Sequence, residues 1–297
     1  MKTLDIQHGI QLKSILFLTD FSEPAKRAGK YAAALAKTYG ARLNVLHVFL
    51  PTTNANAPVA SWYGVEEATR LRSEEYKKEL RAEFQTLNPN IIIREGLLWP
   101  EVNATVKKEN IDLIVVGTHG RTGVKQFFLG SVAEEIFRSA ECPVLTVGPA
   151  ISSTEEPPSQ FSRILYPTDF GEGAKMATAY ALSLAQEHQA YVTLLHVIAE
   201  PKTGEFVEPH DVSAADEAEL RKLIPVEAEK WCVPEVLVER GRPAEKILDV
   251  AARRRAQLIV MGVRKQSGFP GAATHLPISV AHEVVSKAHC PVLTVRV

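Results

Sequence analysis

Ser14–Glu23 reads SILFLTDFSE and Arg163–Glu172 reads RILYPTDFGE. Both are short, mostly apolar runs ending in Thr-Asp-Phe, and Asp169 stands 149 positions after Asp20. The same spacing separates His47, in VLHVF (45–49), from His196, in LLHVI (194–198). CPVLTV at Cys142–Val147 recurs letter for letter at Cys290–Val295, 148 positions on. Three matches in one order at nearly one offset establish an internal duplication, which constrains the fold before any single element is read. Between the copies, Gly148–Gln160 (GPAISSTEEPPSQ) has the Pro, Ser and Glu content of an exposed linker. The boundary is placed near residue 155, giving a first domain over 1–150 and a second over 160–297.

Within the first copy, the apolar runs 14–18, 43–49, 91–93, 112–116 and 144–147 are rich in Val, Ile and Leu without strict alternation. That pattern belongs to parallel strands buried on both faces. Helical patterns lie between them at Ser22–Tyr39, Val65–Leu87, Val102–Asn110 and Ser131–Ala140. Strand alternating with helix predicts right-handed crossovers and an α/β fold of two tandem doubly wound, Rossmann-like domains, each with a five-stranded parallel sheet flanked by helices. The second copy predicts strands near 163–167, 192–198, 235–239, 257–261 and 292–296. Its second helix is expected near 211–231, interrupted by Pro225.

Size and charge narrow the functions. The 297 residues suffice for two domains, each with its own core. Lys and Arg number 34 against 35 Asp and Glu, a net charge of -1, so no global field recruits nucleic acid or acidic lipid. The longest apolar runs fall far short of a membrane span, and Met1–Lys13 has no apolar signal segment. Three cysteines form no C-x-x-C pair, and a reducing cytoplasm is the expected location.

In such sheets, ligands sit beyond the carboxyl ends of the strands. There the first copy places Asp20, Val48 and the run Gly117–Ser131 (GTHGRTGVKQFFLGS). Gly117 lets the chain leave the strand sharply, and Gly120 allows main-chain N–H groups to approach an anion. Gly130-Ser131 opens the next helix, where free N–H groups and the positive dipole end face outward. Arg121 and Lys125 are placed to close over outer phosphates or to remain solvated. Ser131 also has a purely structural explanation, a capping box with Glu134. His47 and His196 read as hydrogen-bonded structural residues, and Cys142 and Cys290 as small packing residues before a strand.

The pattern Gly117-x2-Gly120-x9-Gly130-Ser131, with the opening ILFLTDFS and the closing CPVLTV, resembles the ATP-binding branch of the universal stress protein family over nearly the whole chain, twice. The resemblance implies ATP, with Mg2+ or Mn2+, lying across the strand ends. Thr19 would belong to the nucleotide-binding set, Asp20 and Val48 would surround ribose and adenine, and Val116 and Gly117 would line the middle. Gly120, Gly130, Ser131 and Val132 would hold the phosphates. Single-domain relatives pair through their last strand, which implies an intrachain pseudo-dimer here and allows a homodimer built from it. Leu18 stands where the family commonly has Pro.

The second copy departs from the motif. Lys265 occupies the place of the second glycine and Ile278 that of Gly130; the loop runs 17 positions from Gly262 to Ser279 against 14 from Gly117 to Ser131. Asp169 and Val197 persist, and Gly268 and Gly271 offer a different cradle. The expectation is a degenerate second loop and one triphosphate site per chain. No Walker lysine and no Gly-x-Ser-x-Gly elbow accompany these residues, so catalysis is not expected beyond weak ATP hydrolysis. The expected role is an ATP-binding, stress-response regulatory module. A slow ATPase or phosphotransferase, and a nucleotide-independent assembly scaffold, are the alternatives.

Overall fold

The computed structural model describes residues 10–50, 62–118, 130–151, 156–171, 174–199, 212–226, 228, 232, 234–263 and 280–296. The first copy runs β1 (Ser14–Leu18), α1 (Glu23–Tyr39), β2 (Arg42–Phe49), α2 (Trp62–Glu83), β3 (Asn90–Glu95), α3 (Leu98–Lys108), β4 (Leu113–Gly117), α4 (Ser131–Ser139) and β5 (Val144–Val147). The second runs β6 (Arg163–Thr168), α5 (Ala174–His188), β7 (Tyr191–Ile198), α6 (Val212–Lys222), β8 (Glu235–Arg240), α7 (Pro243–Arg253), β9 (Leu258–Val263), α8 (Val280–Lys287) and β10 (Val292–Arg296).

The ten strands among the described residues form one sheet, ordered β3-β2-β1-β4-β5-β10-β9-β6-β7-β8. Pairing is parallel within each copy and antiparallel where the last strands meet, with Leu145 opposite Leu293. Across this seam Thr146 Oγ1 donates to the Val292 carbonyl (3.0 Å) and Thr294 Oγ1 to that of Val144 (3.3 Å). A pseudo-twofold axis therefore passes between β5 and β10. The expected intrachain pseudo-dimer is present.

Alternating strand side chains feed two helix layers. Ile15 and Phe17 pack with Ala25 and Leu35 of α1, Leu80 of α2, Ala177 of α5 and Leu220 of α6. Leu16 and Leu18 pack on the opposite face with Val102 of α3, Ile136 of α4, Ile247 of α7 and Val284 of α8. Each core draws residues from both copies, so the seam is filled like the interior of either half.

Helix α1 illustrates the local rules. Ser22 Oγ accepts from Ala25 N–H (3.3 Å), Pro24 occupies the first turn, and Gly40 closes the helix with φ 60°. At the matching turn after α5, Gln189 takes φ 51° without a glycine's freedom.

Some expected boundaries shift. Helix α3 begins at Leu98 rather than Val102, because Pro100 lies in the first turn, where no intrahelical N–H bond is lost. Helix α6 ends at Lys222, not near 231, with Pro225 beyond its last turn. The linker is partly anchored: Ile151 is buried, and Lys30 of α1 pairs with Glu156 at 2.6 Å. Among the described residues, no helix is long and apolar enough to cross a membrane.

Candidate functional site

The chain order reverses between β1 and β4, where Leu18 lies beside Val116. The segments leaving these strands, Thr19–Ser22 and Gly117–Thr118, therefore flank one crevice at the carboxyl edge of the sheet, the position where doubly wound folds accept ligands.

Thr19 is buried and structural. Its N–H donates to Leu46 O (3.0 Å), its carbonyl receives His47 Nδ1 (2.8 Å), and its Oγ1 accepts from Phe21 N–H (3.0 Å). The carbonyl acceptor fixes the proton of His47 on Nδ1. Asp20 is partly exposed and closes an Asx turn, its Oδ1 accepting from Ser22 N–H at 3.0 Å. Phe21 sits at φ 63°, stacks on Tyr76 (4.5 Å between centroids) and meets His47 edge-on (4.8 Å). This aromatic packing holds a bulky residue in a backbone region it rarely adopts.

The second copy repeats that frame. His196 Nδ1 meets Thr168 O at 2.9 Å, Asp169 Oδ1 accepts from Gly171 N–H at 3.0 Å, and Phe170 takes φ 58°. One difference lies in the sheet. The β1–β4 ladder runs through Leu18–Val116, whereas β6–β9 stops at Leu165–Ile259. Pro167 follows two positions on and has no N–H to offer a central ladder.

Gly117 has a packing reason of its own. A Cβ there would lie 2.9 Å from the Pro24 carbonyl oxygen and 3.2 Å from Ala25 N, so β4 approaches the start of α1 more closely than a side chain allows. Val116 is buried in the core, which leaves only its main chain to face the crevice. Val48 is half-buried and packs against the same core as Leu98 and Trp99 of α3.

The start of α4 differs from the capping-box expectation. Gly130, not Ser131, is the N-cap, with φ -62° and ψ 152° and no side-chain cap bond. Its N–H donates to Thr118 O (2.6 Å), tying the helix start to the end of β4. Ser131 is the first helical residue, and both it and Val132 are exposed. Glu134 instead pairs with Arg138 at 2.5 Å. The first turn of α4 thus presents main-chain N–H groups without a side-chain acceptor on the cap. Gly120, His119, Arg121 and Lys125 lie outside the described residues, as do Lys265, Gly268, Gly271 and Ile278 of the second loop.

Two further residues stand on this edge that no sequence motif marks. Leu50 follows β2 and Leu97 precedes α3, and they are 66% and 67% exposed. Leu50 directly follows β2 and Leu97 comes two positions after β3, and that placement at strand ends was the available signal. The cysteines are packing residues: burial pushes the Cys142 and Cys290 thiols up to about 12.

Fold and crevice together define a class: a tandem doubly wound α/β protein whose two halves share one sheet, with a polar turn and an uncapped helix start meeting at the switch point of the first half. The sequence model of the universal stress protein family matches residues 11–148 and again 160–296. The chain belongs to the universal stress protein family. A universal stress protein of Methanocaldococcus jannaschii is 33% identical over 146 residues, covering 48% of this chain and 86% of that one. One from Mycobacterium bovis is 25% identical over 307 residues, covering 98% of this chain and 97% of its own, which extends the tandem plan to a full-length relative. The crystal structure of a universal stress protein from Archaeoglobus fulgidus covers 97% of this chain and 99% of its own with a TM-score of 0.71 and 21% identity, a likeness of fold.

Proposed function

We propose that the first half, residues 1–150, binds ATP at the β1/β4 switch point as a regulatory module of a stress response, and that the second half, 160–297, has a degenerate loop and takes no triphosphate in the same way. The observation that carries this reading is the start of α4. Gly130 provides no side-chain acceptor at the N-cap, and its N–H bond to Thr118 O sets the positive end of the helix beside the end of β4, one of the two strands that flank the crevice. A helix left uncapped at a ligand edge is suited to an anion.

In this reading, Asp20 and Val48 contact ribose and adenine. Gly117 positions the main chain beside α1, and Gly120, Gly130, Ser131 and Val132 receive the phosphates. Mg2+ or Mn2+ enters with the triphosphate, coordinated by phosphate oxygens and water. Among the described residues, no group of three or more His, Cys, Asp or Glu converges as a metal site. A universal stress protein has been solved in complex with cAMP. Occupancy acts on partners by favouring one packing of the halves over another. We place the protein in the cytoplasm, with a homodimer of the fused unit as its further assembly.

The test is calorimetric titration of the full chain with MgATP, counting sites. One site per chain is expected, abolished by replacing Gly120 or Gly130 with Leu while the circular dichroism spectrum is retained. Two equal sites would refute the asymmetry. Binding that survives both replacements would refute the loop assignment.

A further inference from the structure

Helix α4 is held at both ends, and the two anchors come from different halves of the chain. Its start is tied to β4 of its own half through Gly130 N–H and Thr118 O. Its end is held across the seam: the guanidinium of Arg296, on β10 of the second half, donates from Nη1 to the Arg138 carbonyl and from Nη2 to that of Phe137. The helix has nine residues, too few to be stable by itself in water. Two of its last carbonyls would otherwise lack intrahelical partners.

The pseudo-twofold axis supplies an internal control. Gly148 of the first half occupies the position equivalent to Arg296, and a Cβ there would lie 3.3 Å from the Ala288 carbonyl oxygen and 3.5 Å from that of Val285, at the end of α8. Those residues correspond to Ala140 and Phe137 at the end of α4. Position 148 thus faces the α8 terminus as Arg296 faces the α4 terminus, but as a glycine it donates no side-chain bond. Among the described residues, the cross-seam clamp is present on α4 and has no counterpart on α8. Arg296 is half-buried, with the Glu141 carboxylate as its acidic neighbour.

We infer that Arg296 of the second half is a positioning residue for the nucleotide site of the first half, fixing α4 from its carboxyl end so that its opening N–H groups meet the phosphates in register. The inference rests on the phosphate reading of α4 given above. It assigns the degenerate half a task in ligand binding: its last strand braces the helix that the ligand engages. A cation at the helix end also complements the dipole whose positive end the phosphates meet.

The experiment compares wild type, Arg296→Ala and Arg296→Lys as full chains, titrated with ATP and separately with adenosine, which lacks phosphates. Arg296→Ala is expected to weaken ATP about three- to tenfold while leaving adenosine within about twofold, with partial recovery in Arg296→Lys. Hydrogen exchange at Val132 and Ala133 is expected to accelerate in the alanine variant and to slow less on ATP addition. Unchanged ATP affinity in Arg296→Ala overturns the inference while leaving the site standing. Equal weakening of ATP and adenosine overturns it too, since that is the signature of general loosening. If Arg296→Ala does not fold, Arg296→Lys decides, because it keeps the charge without the two-pronged geometry. Wild type that binds no ATP removes the site itself, and the brace with it.

Discussion

Replacing Gly130 with Asp separates the stability of α4 from its ligand. Residue 130 has φ -62° and ψ 152°, an extended backbone conformation that Asp adopts as readily as glycine. Its carboxylate takes the N-cap role that glycine leaves unfilled, accepting from the first-turn N–H groups. A better cap is worth a few tenths of a kcal/mol over glycine, and the charge at the dipole adds about 0.3–1 kcal/mol. The sum is a stabilisation of about 0.5–1.4 kcal/mol, and for a chain of this size each kcal/mol moves the melting temperature by roughly 1–2 °C. The same carboxylate occupies the donors that the phosphates need and repels them. Wild type with ATP at about 100 times its Kd gains about 2.7 kcal/mol, or roughly 4 °C. Scanning fluorimetry with and without MgATP is therefore expected to show Gly130→Asp melting slightly higher than wild type without nucleotide and showing no further rise with it. An undiminished ATP shift in the variant refutes the assignment of phosphates to the α4 start. A lower melting point without nucleotide refutes the uncapped geometry.

Gly117→Ala is expected to destabilise by about 1–3 kcal/mol even without nucleotide, because the new Cβ meets main-chain atoms of Pro24 and Ala25 that cannot rotate away; chemical denaturation measures it. Gln189→Gly is expected to stabilise by about 0.5–1 kcal/mol by relieving φ 51°, read as a higher urea midpoint at unchanged slope. His188 Nδ1 accepts from Phe161 N–H (3.4 Å), which leaves Nε2–H facing Tyr39 Oη (3.1 Å), and burial lowers the pKa of the ring. A lowered native pKa means the unfolded chain takes up the proton first. This stability is present above about pH 6.5 and is lost as pH falls from there to the native value. Burial displaces His282 in the same sense, opposed by Glu134. Denaturant titrations from pH 7.5 to 5 are expected to show that decline, and His188→Gln to reduce its slope by up to one proton; an unchanged slope excludes His188.

Much of the fold was legible because it follows from local rules applied twice. Runs such as Leu43–Phe49 and Tyr191–Ile198 carry their strand character in composition, and the 149-residue offset pairs them without reference to tertiary structure. The α3 start lies four residues before the one its sequence pattern predicts, because Leu97, its N-cap, offers no capping side chain to mark the position. Ser131 resembled a cap in sequence but is one residue inside the helix, since cap geometry depends on where the preceding loop delivers the chain. Asp20 was visible as a candidate, whereas the αL conformation of Phe21 was not, because it depends on Tyr76 and His47 arriving from other elements. Arg296 could not be read at all. Its partners lie 158 and 159 positions away, and nothing in β10 marks its last arginine as different from a solvated one.

The antiparallel join of β5 to β10 also decides how the molecule behaves when scarce. Two separate halves pairing along those strands would obey mass action and come apart on dilution. Tethering replaces the bulk concentration of the partner with a fixed local one set by the short connection between the halves. The shared sheet therefore holds together equally in a cell containing thousands of copies or only a few, and its two remaining hydrogen-bonding edges, β3 and β8, lie at opposite extremes of the ten strands.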